Sequence, residues 1–107
     1  MKPLSDVCPD PKEVLELEPE KLGHHVLGCL GETNEPNIKR AIIAHTLAAN
    51  YHQSFREEIT GAVEKALDWL IGQCFLGATP YDHDLIFLTQ AGKDAATRHK
   101  KDADKRH

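Results

Sequence analysis

The chain has 107 residues, 40% of them apolar and 28% charged, with 13 Lys and Arg against 17 Asp and Glu for a formal net charge of -4. That length allows one small domain with a single core and excludes a two-domain catalytic cleft, while the apolar fraction excludes a disordered polymer. No apolar run reaches the ~20 residues of a membrane span, Met1 to Asp6 has no apolar h-region, and Cys8, Cys29 and Cys74 form no Cys-x-x-Cys pair, so the expectation is a cytoplasmic protein with reduced thiols.

Pro3, Pro9 and Pro11 interrupt residues 1–13, which read as a flexible arm pinned at its end by Val14, Leu15 and Leu17. Residues 14–97 read as the folded domain and 98–107 as a basic, frayed tail. Glu18-Pro19-Glu20 starts a first helix, because proline fits the first helical position and carboxylates suit the positive end of the dipole. Leu22, Val26, Cys29 and Leu30 follow at helical spacing up to Gly31, and Gly23, Gly28 and Gly31 suggest close helix packing.

Thr33, Asn34 and Pro36 make a turn, after which a second helix is expected from about Asn37, as its cap, to Ala49. Its face is Ile38, Ile42, Thr46 and Ala49, with Ile43 and Leu47 beside it. Beyond a polar break at Asn50 to Gln53, Ser54 and Glu57 form a capping-box pattern for a third helix. Ile59, Val63, Ala66 or Leu67, and Leu70 recur at three and four along it, and Trp69 reads as a core anchor. Phe75 to Thr79 and Leu85 to Leu88 are strand-like runs separated by Pro80 to Asp84, a hairpin. Thr89 then caps a last helix.

Three helices, a hairpin and a final helix make an α+β chain that is mainly α. The stretch Ala66-Leu67-Asp68-Trp69-Leu70-Ile71-Gly72-Gln73-Cys74-Phe75-Leu76, followed by Leu85-Ile86-Phe87-Leu88-Thr89-Gln90-Ala91-Gly92 with its Leu-Thr-x-x-Gly step, resembles the winged helix-turn-helix family over roughly Leu15 to Ala96. The resemblance implies a three-helix core, a two-stranded wing and a C-terminal helix, with the third helix as the DNA-recognition element. Glu16-Leu17-Glu18-Pro19-Glu20-Lys21-Leu22 adds a likeness to the winged-helix module that precedes Ymh-type domains in some bacterial phage-associated or defence proteins. That likeness implies work beside a partner.

Charge placement complicates the DNA reading. From Lys93 onward six basic residues face three acidic ones, a balance of +3, which leaves 7 basic against 14 acidic residues, or -7, in the first 92. Candidate nucleic-acid contacts are Lys39, Arg40, Arg56, Lys65, Arg98, Lys100, Lys101, Lys105 and Arg106. The third helix also carries Glu57, Glu58, Glu64 and Asp68, and the hairpin tip carries Tyr81, Asp82, His83 and Asp84, two surfaces whose carboxylates repel phosphate. These eight residues define the alternative, a partner surface on a protein-interaction adaptor or accessory subunit of a bacterial defence or toxin-type complex, bound to another protein or to a second copy of the chain.

Seven histidines invite a test for metal. His25 and Cys29 share a helical face, with His24 adjacent and His45 or Cys74 as further ligands, and Asp82-His83-Asp84 is a second group, yet neither has the spacing of a zinc motif. Nor is a nucleophile paired with a base, and no glycine-rich phosphate loop is present. A non-enzymatic protein without metal or cofactor is the expectation.

Overall fold

A 3-10 turn at Leu4–Asp6 and a short helix α1, Pro11–Glu16, come before the first long helix. The Asp10 side chain caps α1 by accepting from the Lys12 N–H at 2.9 Å, with Pro11 at the first helical position. The computed structural model describes residues 3–31 and 37–105, the last seven of these as backbone only. Helix α2 spans Pro19–Leu30, strand β1 Ile38–Lys39, α3 Arg40–Ala48, α4 Arg56–Gly72, β2 Leu76–Thr79, β3 Asp82–Leu88 and α5 Gln90–Lys105. The result is an α+β chain, mainly helical, with a small antiparallel sheet.

The sheet has three strands in the order β1-β3-β2. Ile38 pairs with Ile86 and Lys39 with Leu85 on one side of β3, while Leu76 pairs with Leu88 and Ala78 with Ile86 on the other. The expected two-stranded hairpin is therefore joined by a short strand from the start of the second helical region. The register slips between Ala78 and Thr79, where the Thr79 hydroxyl donates to the Asp82 carbonyl at 2.6 Å. Only Pro80 and Tyr81 remain as the turn, so Asp82 to Asp84 belong to β3 rather than to a loop.

Helix α4 is the central element and packs against α1, α2, α3 and β2. Ile59, Val63, Ala66, Leu67 and Leu70 form its buried stripe, as their spacing requires. They meet Leu22, Val26, Leu27 and Leu30 of α2, Ile43 and Leu47 of α3, and Leu76 and Ile86 of the sheet in one hydrophobic cluster. Gly23 and Gly31 do serve close packing, because a Cβ at these positions would lie 2.9 Å from the Trp69 ring and 2.8 Å from the Ala96 methyl.

Four expectations change. Leu4 to Cys8 do not stand off as an arm: Leu4 is 0% exposed, Cys8 is buried, and the Leu4 N–H donates to the Asn50 side chain at 3.2 Å. Asn37 caps nothing, since Ile38 and Lys39 take strand geometry and α3 starts at Arg40; its buried face is Ile43, Ala44, Leu47 and Ala48, leaving Ile42 52% exposed and Thr46 and Ala49 outside. Ser54 lies in a 3-10 turn, its N–H held by the His52 ring, and Phe55 occupies the position before α4 without a side-chain cap. At the far end, α5 continues as helical backbone into the expected tail as far as Lys105, and residues 106 and 107 of that tail lie outside the described residues.

The turn between α4 and β2 is a Schellman ending. The Phe75 N–H donates to the Leu70 carbonyl at 3.0 Å and the Cys74 N–H to the Ile71 carbonyl at 3.1 Å, with Cys74 left-handed at φ 64. The Leu-Thr-x-x-Gly step has an equally direct cause. The Thr89 hydroxyl donates to the Cys74 carbonyl at 2.6 Å and accepts from the Gly92 N–H at 3.1 Å, capping α5. A Cβ on Gly92 would sit 2.0 Å from the Phe75 carbonyl oxygen, so this close crossing admits glycine alone.

Candidate macromolecule-binding face

The outward side of α4 and the sheet edge beside it hold most of the charged residues picked out from the sequence. Glu57, Glu64 and Asp68 recur at seven and four along α4 and so form one ridge, while Glu58 and Lys65 lie exposed beside it. Across from Glu64, the start of α3 and the first residues of β3 close an open depression lined by Lys39, Arg40, Ala41, Glu64, Asp82 and Asp84. The pairing of Lys39 with Leu85 brings the β1 cation to within a residue of Asp84 along the sheet. Tyr81, 78% exposed, and His83 crown the hairpin.

Two of the expected DNA-contacting arginines already have partners. Arg40 Nη2 lies 2.7 Å from Asp68 Oδ1 and donates to the Glu64 carbonyl at 3.0 Å, tying the first turn of α3 to the middle of α4. Arg56 Nε donates to the Tyr51 carbonyl at 3.1 Å, closing the loop before α4. Lys39 and Lys65 are exposed and unpaired among the described residues. Arg98 is exposed on α5, its Nε 3.5 Å from the Asp94 carbonyl. Lys100, Lys101 and Lys105 fall on the helical backbone of α5, their side chains outside the described residues, as is all of Arg106.

The balance of the face follows. Glu57, Glu58, Glu64, Asp68, Asp82 and Asp84 stand against Lys39, Arg40, Arg56 and Lys65, a net -2, with Arg40 committed to an internal ion pair and Arg56 to the Tyr51 carbonyl. Ala41 lines the depression and was not singled out from sequence. An apolar residue on an exposed turn has no pattern that separates it from a core residue.

Among the described residues no three His, Cys, Asp or Glu side chains lie close enough to share a metal ion. The His24 ring is set edge-on to Trp69 at 5.5 Å, in an aromatic group with Phe75. Tyr51 is buried and donates to the Cys8 carbonyl at 2.5 Å; burial, then the neighbouring Cys8 and Cys29, push its ionisation well above the ordinary range. Burial, then Glu13 and Asp10, likewise push the Cys8 thiol up, which keeps it protonated and unreactive. Among the described residues no helix is long and apolar enough to cross a membrane. No protein-family model, curated protein or solved structure matches this chain.

Proposed function

We propose that this chain is a non-enzymatic winged-helix module that docks a basic protein segment on the face formed by α4, the start of α3 and β3. The winged-helix reading is supported by the element order α2-β1-α3-α4-β2-β3-α5 and by the β1-β3-β2 sheet. The partner class is carried by one observation: the helix that the family uses against DNA presents Glu57, Glu64 and Asp68, and Arg40 of α3 is bound to Asp68. A phosphate brought there meets net negative charge, whereas a Lys- or Arg-bearing segment meets complementary potential. An accessory role in a bacterial defence or toxin-type assembly is a setting this chemistry suits.

Fluorescence anisotropy tests the reading with two labelled probes, a Lys/Arg-rich peptide of about 15 residues and a DNA duplex of about 20 base pairs, at about 50 and 200 mM salt. The expected result is peptide binding that weakens with salt and is lost in Glu57→Lys/Glu64→Lys, with no binding of the duplex. Duplex binding with the peptide ignored overturns it in favour of DNA contact through Lys39, Lys65 and the basic end of α5. Peptide binding unaffected by the double substitution also overturns it.

A further inference from the structure

The opposite charges of this molecule sit in two separate places, and the second place is a helix. Ala95 and Ala96 are the last buried residues described on α5, where it packs on α2. The helical backbone then continues nine residues to Lys105, about 14 Å at 1.5 Å per residue. Thr97-Arg98-His99-Lys100-Lys101-Asp102-Ala103-Asp104-Lys105 contains no large apolar residue with which to anchor that extension to a core. A helix end of such composition gains little from burial and is stabilised best by charge on a neighbouring surface. Thr97 to Lys105 carries four basic and two acidic residues, a balance of +2, and the α4–β3 face carries -2.

Building on the docking reading above, we infer that the basic segment taken by the α4–β3 face is the C-terminal end of α5 from a second copy of this chain. The exchange is reciprocal, so each copy offers one basic helix end and one acidic ridge, and two such contacts related by a two-fold axis close a dimer without leaving either surface open. The ridge Glu57, Glu64 and Asp68 runs along α4 for eleven residues, about 17 Å, which is similar to the length of the α5 extension. Tyr81, 78% exposed in the turn directly before Asp82, offers apolar surface against which lysine and arginine stems can pack. Because opposite charge supplies the contact, the dimer is salt-sensitive.

Sedimentation velocity on the full chain at about 100 µM tests this, at about 50 mM and about 500 mM salt, ionic strengths that bracket the fall of the Debye length below 10 Å. Four samples are compared: wild type, the face variant Glu57→Lys/Glu64→Lys, the tail variant Lys100→Glu/Lys101→Glu/Lys105→Glu, and an equimolar mixture of the two variants. All substitutions are at polar positions, and circular dichroism checks that each variant keeps the helical content of wild type. The expected result is a wild-type dimer at low salt that dissociates at least tenfold more readily at high salt, monomers for each variant alone, and a restored dimer in the mixture, where each altered face meets an altered tail. Wild type that stays monomeric at low salt overturns the inference, as does a dimer that survives in either variant. Failure here leaves the basic-peptide result intact, since wild type that is monomeric yet binds the peptide keeps the docking face and excludes only the second copy as its occupant.

Discussion

Cys74 occupies a position at which glycine is the ordinary choice. Its left-handed φ of 64 lets the turn return two N–H groups to the last carbonyls of α4, and a side chain there costs about 1 kcal/mol relative to glycine. Cys74→Gly is therefore expected to raise the urea midpoint, with a gain of about 0.5–1 kcal/mol and an unchanged m-value. The pH dependence is set at Tyr51 and Cys8, both held protonated by burial. A group whose ionisation is raised in the folded state contributes stability that is complete below its unfolded value and is lost as pH rises beyond it. Stability is expected to decline as pH climbs past 9 and then 10, the unperturbed values of a thiol and a phenol. Urea titrations from pH 8 to about 11 check this, and Tyr51→Phe should flatten the upper part of the decline while costing about 1 kcal/mol at neutral pH from the lost hydrogen bond. The legible residues were those with a short-range cause: Thr89 as a cap and Gly92 as the glycine of a tight step. Asn37 and Ser54 have the right chemistry for caps but the wrong neighbours, because cross-strand pairing claims Ile38 and the His52 ring claims the Ser54 hydroxyl.

At the scale of elements, α4 was readable because five apolar residues at three and four spacing settle both its type and its buried face. Strand β1 was not, since two residues carry no period and exist as a strand only through β3, nearly fifty positions later in the chain. The N-terminal segment misled for a related reason. Prolines mark breaks in hydrogen bonding, and the breaks are there, but burial of Leu4 depends on Asn50 and the core beneath it. Leu4→Ala distinguishes a docked segment from a loose one: a cost of about 2–5 kcal/mol is expected by chemical denaturation, against about 0.5 kcal/mol or less for a residue in a solvated arm. The link between α3 and α4 is testable in the same way. Arg40→Ala removes one ion pair and one hydrogen bond to a carbonyl, both partly exposed, and should cost about 1 kcal/mol in the same assay. It should leave peptide binding at the face at least as strong, because a cation is removed from an acidic surface.

On the scale of the whole molecule, the core is one cluster that reaches from Leu4 to Ala96. Among the described residues no subset of elements has a separate apolar centre, so unfolding is expected as a single cooperative transition, with Trp69 fluorescence and far-ultraviolet circular dichroism giving coincident curves in urea. Two offset curves would mean that a segment melts on its own. The candidate face was half legible at this scale. Sequence located the carboxylates of α4 and the hairpin and the surplus of positive charge after Lys93, because charge is written residue by residue. That Arg40 belongs to Asp68 rather than to a ligand was not legible, since it follows from how α3 crosses α4.

The docking of the N-terminus bears on the order in which the chain assembles. Leu4 donates to a residue 46 positions ahead of it, and the Cys8 carbonyl accepts from one 43 positions ahead. During synthesis Leu4 to Cys8 thus have no site until α3 and the loop after it have emerged. Closing so long a loop is unfavourable until the helices have formed their own contacts, which makes this segment a late arrival at the core. Contacts made late are absent from the folding transition state and are lost early in unfolding, so Leu4 acts as a clasp that governs how slowly the native molecule opens rather than how quickly it forms.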